Sequence, residues 1–203
     1  LKNDNISVEQ LETVTEYFAA LVNEYSSQVP RDADGNYVAD RDAILRRANE
    51  VYANVEETLP CLSGPAVRAK GVYFSRVMSY TDFTGFFFPF TAEANVNTDF
   101  PGALFASTIA HELSHQRGVA REQEANFTAV LACLEYGDAD YCYSACLLAY
   151  THLGNALYSA DPGAWQEVYR GLSDGVLADL AASREYWAQF ETPVQSVSHT
   201  VYE

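Results

Sequence analysis

The string His111-Glu112-Leu113-Ser114-His115 constrains this chain more than any other feature of its sequence. Two histidines four residues apart come together on one face of a helix, one turn apart, where both imidazoles can grip a single ion. The residues before them, Ala103 to Ala110, are apolar and small, as expected of a helix buried in the centre of a domain. Two solvated histidines on a surface helix are the plain alternative, and the apolar lead-in opposes it. The motif therefore predicts a buried helix over about Ala103–Gln116 that carries a metal site.

The residue types suit hydrolytic zinc chemistry. Zinc takes His nitrogens and carboxylate oxygens, and a catalytic site keeps three protein ligands with water in the fourth place. Glu112 directly follows the first histidine, so its side chain is offset from the ligand pair. It can reach a zinc-bound water and take its proton without displacing it. His111 and His115 supply two ligands, and a third must come from elsewhere. Gly118 allows a sharp turn after the motif, and a second helix is expected over about Ala120–Tyr136. Two carboxylates near its start compete. Glu122 shares a face with Ala125, which leaves room for an ion, and with Asn126, an amide placed to bond a ligand imidazole. Glu124 shares a face with Phe127, Thr128 and Leu131, a pattern of core packing. Glu122 is the favoured ligand and Glu124 the alternative; either also suits the first turn of a helix, where the dipole favours acid.

Around this centre the chain changes character twice. A helix from about Val8 to Tyr25 opens on a Ser7/Gln10 capping box and carries a stripe of Leu11, Val14, Phe18, Leu21 and Val22. Residues Pro30 to Asp42 imitate a calcium loop, but Tyr37 stands where the sharp turn needs glycine and Ala43 replaces the bidentate glutamate. A surface turn is expected there. A helix over about Arg41–Leu59 follows, with Ile44, Ala48, Val51, Tyr52 and Val55 on one face. β-forming residues then predict strands over Gly71–Tyr80, Phe83–Phe90 and Glu93–Thr98, the second marked as an edge by Pro89. Beyond the two site helices, more are expected over Tyr141–Tyr158 and Pro162–Phe190, the last broken near Ser173-Asp174. The fold class is α+β, mostly helical, with a small antiparallel or mixed sheet. One domain over 1–203 is expected: a helical part at 7–59, the sheet at 71–98, the site helices at 103–136 and C-terminal helices at 141–190.

Charge narrows the partners. Twelve Lys and Arg against 28 Asp and Glu leave a net charge of −16, which repels nucleic acid and anionic lipid alike. No apolar run is long enough to span a bilayer, so no membrane insertion by this segment is expected. The four cysteines form no CxxC pair, and Cys142 and Cys146, four apart on a predicted helix, suit buried thiols better than a disulfide.

HELSH followed by Glu122-Gln123-Glu124-Ala125-Asn126 resembles the gluzincin branch of zincin metallopeptidases. There, HExxH on one helix is completed by a glutamate on the next, often in an ExxA[DN] pattern, which matches Glu122 to the ligand. The longer string from His111 to Phe127 is similar to a bacterial domain-of-unknown-function family numbered 3810. So are Ser79-Tyr80, the stretches 85–91 and 93–97, Arg184-Glu185-Tyr186-Trp187 and Pro193-Val194. The resemblance implies a zincin-like fold around a central HExxH helix, one Zn2+ ion and a peptide or protein substrate. It also implies the extracytoplasmic face of a bacterial membrane, with transmembrane helices N-terminal to this segment in the full-length protein. It further implies a substrate-holding edge strand within Phe83–Asn97. Core packing of Phe86, Phe87, Phe88 and Phe90 is the competing expectation for those side chains.

Hydrolysis through a tetrahedral state calls for a donor to the developing oxyanion. Tyr80, Tyr150, His152 and Arg117 have suitable chemistry, and the sequence does not choose among them. His199, in the tail, is expected to be solvated. Three functions fit these residues. The first is a zinc metallopeptidase with Glu112 as general base. The second is a non-catalytic zinc-binding sensor or scaffold, and the third a metal-dependent amidase acting on cell-wall material. An intact Glu112 favours an enzyme, since a structural site has no use for a base.

Overall fold

The computed structural model describes residues 6–64 and 68–190. Pro193-Val194 and His199 lie outside the described residues. Helix α1 (Val8–Ser26) begins where the capping box places it: the Ser7 hydroxyl accepts from the Gln10 N–H, and the Gln10 side chain accepts from the Ser7 N–H. The expected surface turn follows. Asp32 accepts from the backbone of Asp34 and Asn36, and Arg31 anchors the segment by donating to the Ser26 and Gly35 carbonyls and to Asp179.

The helix expected over 41–59 is divided. It forms as α2 (Arg41–Arg47), a 3-10 turn (Ala48–Glu50) and α3 (Ala53–Thr58). Its predicted apolar face is buried all the same, with Ile44, Ala48, Val51, Tyr52 and Val55 in one core. At the break, Tyr52 sends its hydroxyl inward to the Ala110 carbonyl, 2.9 Å away.

The sheet has three short strands, β1 (Lys70–Gly71), β2 (Gly85–Phe88) and β3 (Glu93–Val96), in the order β1-β3-β2. β1 runs parallel to β3 and β2 antiparallel, so the sheet is mixed, and β2 is an edge strand as Pro89 predicted. The strand expected over Gly71–Tyr80 does not form. After Val72, whose N–H ends the ladder on the Val96 carbonyl, the chain coils into α4 (Ser75–Ser79). Ser75 explains the turn: its hydroxyl donates to the Val72 carbonyl at 2.6 Å and accepts the Thr98 N–H at 2.7 Å. Phe74 and Val77, read as strand residues, stand exposed.

Helices make up the rest: α5 (Phe105–Gln116), α6 (Glu122–Tyr136), α7 (Ala139–Ala160), α8 (Pro162–Arg170) and α9 (Asp174–Ala188). Asp161 caps α8 ahead of Pro162, and the chain breaks between α8 and α9 as predicted. α5 is the central element, packed against α6, α7, β2 and β3. All four cysteines are free thiols, and Cys133, Cys142 and Cys146 are buried. The result is an α+β fold, mostly helical. Among the described residues no helix is long and apolar enough to cross a membrane.

Candidate metal centre

α5 presents His111 and His115 on one face, and Gly118 reverses the chain with a φ of +87° so that α6 returns beside them. Glu122, the first residue of α6, meets both rings. His111 Nε2 lies 3.0 Å from His115 Nε2 and 3.1 Å from Glu122 Oε2, and His115 Nε2 lies 3.5 Å from Glu122 Oε1.

The far side of each ring fixes its tautomer. His115 Nδ1 sits 2.7 Å from the Val119 carbonyl, which can only accept, so Nδ1 carries a proton and Nε2 is the nitrogen turned toward the cluster. His111 Nδ1 donates to Asn126 Oδ1 at 2.7 Å, and the Asn126 amide donates in turn to His152 Nε2 at 3.3 Å. Burial, the largest influence, holds His111 below the usual imidazole range against the Asn126 and Glu122 bonds, which keeps it neutral. Two imidazole Nε2 atoms and a carboxylate thus converge on one point. A cation is what such a donor set accommodates. Nitrogen and oxygen donors about 2.0–2.1 Å from a tetrahedral zinc stand roughly 3.3 Å apart, a value the three separations here bracket. The residues present therefore fit the ion that the motif implies.

Glu124 does not join them. Its carboxylate pairs with Arg121 at 3.4 Å on the outer side of α6, and Phe127, expected to pack in the core with it, is exposed.

Glu112 lies beside the cluster, buried, and its Oε2 has no hydrogen-bond partner among the described residues. Burial, and then the charge of Glu122, push its carboxyl up to about 8. Against it lies Gly85 of β2: a Cβ built there would meet Glu112 Oε1 at 2.7 Å. Sequence reasoning missed this role: Gly85 lies within the strand expected over Phe83–Phe90, and nothing adjacent to it in the chain points to Glu112. The one available signal was a lone glycine inside that strand, which marks close approach of another group. Ser114, inside the motif, was also missed. Its hydroxyl touches Tyr52, accepts from Thr128 at 2.9 Å and reaches the Ala110 and Ala125 carbonyls, joining the two ligand-bearing helices in the core.

Of the four candidate oxyanion donors, only His152 lines the cavity that holds the cluster. Tyr150 is buried in the second core, where desolvation pushes its phenol up to about 12. Tyr80 sits edge-on to Phe190 and is not among the residues lining that cavity. Arg117 donates twice to Glu56 and lies over the Tyr52 ring.

The cavity measures about 760 Å³ and is walled by β2, α5, α6, α7 and α9. The phenylalanines of the hairpin are not core. β2 turns Gly85 and Phe87 inward, while Phe86 and Phe88 alternate to the outer face and Phe90 stands 91% exposed.

Fold and site together define a mostly helical α+β protein in which two neighbouring helices bring two histidines and a glutamate together in an open cavity. The sequence matches the family described as Protein of unknown function (DUF3810) over residues 1–203, and the chain belongs to that family. No curated protein and no solved structure matches it.

Proposed function

We propose that this chain is a zinc-dependent metallopeptidase in which His111, His115 and Glu122 hold one Zn2+ and Glu112 is the general base. The convergence of the two Nε2 atoms and the Glu122 carboxylate carries the reading. Zinc bound there supplies a Lewis acid that acidifies water and polarises a carbonyl near neutral pH.

The chain's own residues do the rest. Val119 and Asn126 hold the two rings in the tautomer that points Nε2 inward. Glu112 takes the proton of the attacking water at its unpartnered Oε2 and returns it to the leaving nitrogen. A cation held by the cluster offsets the charge of Glu122 and so opposes one of the two causes that keep the Glu112 proton bound. His152 lines the cavity, and with its Nε2 accepting from the Asn126 amide its Nδ1–H is the group that would donate to the developing oxyanion. The edge of β2, unpaired among the described residues, offers backbone groups to an extended peptide.

A scaffold role fits less well. A structural zinc site is closed by a fourth protein ligand, whereas here the Glu122 side chain is 75% exposed and the donor group of the described residues has three members. The proposal is tested by loading the protein with zinc and comparing it with Glu112→Gln. Retained zinc with hydrolysis lowered at least about a hundredfold supports the base assignment. Unchanged hydrolysis removes Glu112 from the mechanism.

A further inference from the structure

We infer that the cavity beside the cluster selects a large apolar side chain on the substrate, aromatic or branched aliphatic. The catalytic consequence rests on the hydrolase reading above; the binding consequence rests on the walls alone. Four large apolar residues from different parts of the chain face this space: Phe100, Leu104 at the start of the motif helix, Leu148 on α7 and Trp187 on α9. Trp187 stacks on Phe100 with ring centroids 6.2 Å apart and planes 29° apart. Phe100 is itself buried in the main core and contacts Phe105, so this aromatic corner is braced from behind.

Charge points the same way. Among the described residues no Lys or Arg lines the cavity; the ionisable groups there are three histidines, Asp82, Glu112 and Glu122. An acidic side chain would find no protein cation to pair with and would meet three carboxylates. An apolar one leaves water for an apolar corner. Space is available for a bulky group. Leu104 and Trp187 also border a second cavity of about 230 Å³, whose wall includes Asp179 and Arg184. Toward solvent, Phe83 and the inward-turned Phe87 add apolar surface to the cavity wall.

The experiment has two arms. In the first, the zinc-loaded protein digests a peptide mixture, and cleavage sites and rates are read by mass spectrometry. Peptides with Phe or Leu beside the cut bond are expected to show kcat/KM at least about tenfold above those with Ala or Asp. Leu148 is half-buried, so Leu148→Trp narrows the cavity from a tolerant position. It should lower the ratio of kcat/KM beside Phe to that beside Ala at least about tenfold while bound zinc persists. Cleavage indifferent to the side chain, or a preference that Leu148→Trp leaves in place, overturns the inference without touching the hydrolase reading.

The second arm needs no hydrolysis. The chain has two tryptophans, so Trp165→Phe leaves Trp187 as its one indole. Phenylalaninamide should change the Trp187 emission saturably, and glycinamide at equal concentration should not. A response to phenylalaninamide with no peptide cleaved sinks the hydrolase reading and keeps the apolar site. An indole that does not respond overturns the site even where peptides are cleaved.

Discussion

Gly85 and Glu112 touch without any side chain between them: the strand backbone lies so close to the carboxylate that a methyl at Gly85 would stand 2.7 Å from Oε1. Separations that short are not sustained by real Cβ atoms, so one partner must move. The nearest atoms to that methyl are all in Glu112. Gly85→Ala should therefore displace the proposed base and leave the ligands in place. Activity is expected to fall about a hundredfold, the usual cost of misplacing a reacting group by an ångström, with zinc content unchanged. Zinc content that falls with activity would mean that the strand supports the metal site and not the base.

The two acids at the start of α6 should behave differently. Glu122 lies 3.1 Å from His111 and 3.5 Å from His115, whereas Glu124 pairs with Arg121. Zinc affinity, measured by competition with a chelator, should fall by more than about a hundredfold in Glu122→Gln, since losing a residue that only supports a ligand typically costs 10–100-fold. Glu124→Gln should stay within about twofold, because an exposed ion pair of this kind contributes little. The reverse ranking would hand the ligand role to Glu124.

Much of this site was legible because it is local in the chain. Spacing alone gives the face shared by His111 and His115, the turn at Gly118 and the pairing of Glu122 with Asn126. What was missed is mostly non-local. Gly85 meets Glu112 and Tyr52 meets Ser114 only after β2 and the segment carrying Tyr52 have come up against α5. The strand expected over 71–80 failed for a similar reason: Val72, Phe74 and Val77 favour β-structure, but the ladder with β3 ends at Val72 and Ser75 turns the chain away. The exposed hairpin phenylalanines invert the ordinary rule that such residues are inside; an aromatic edge beside a cavity leaves no distinct periodicity.

Alkali should unfold the protein early. Burial is the first cause raising the phenols of Tyr37, Tyr141 and Tyr143 above their usual value of 10; Tyr37 also donates to Asp140 and Tyr143 to Asp179. Below pH 10 both states hold these protons and the phenols leave stability unaffected. Above it the unfolded chain releases protons that the folded one retains, so stability falls as pH rises. Each phenol adds a slope of about 1.4 kcal/mol per pH unit in that range. Urea midpoints should begin to fall from about pH 9, where burial likewise keeps the thiols of Cys133, Cys142 and Cys146 protonated in the folded chain, and drop more steeply between pH 10 and 11. Midpoints that stay level to pH 11 would show that these phenols ionise freely in the folded state.

The claim beneath all of this is that one ion sits where His111, His115 and Glu122 converge. Its most direct test is the zinc stoichiometry of the reconstituted, dialysed protein beside that of a His111→Ala/His115→Ala variant. The account predicts about one zinc per chain in the parent and none retained in the variant. A parent chain that retains no zinc, or a variant that holds as much as the parent, would contradict it.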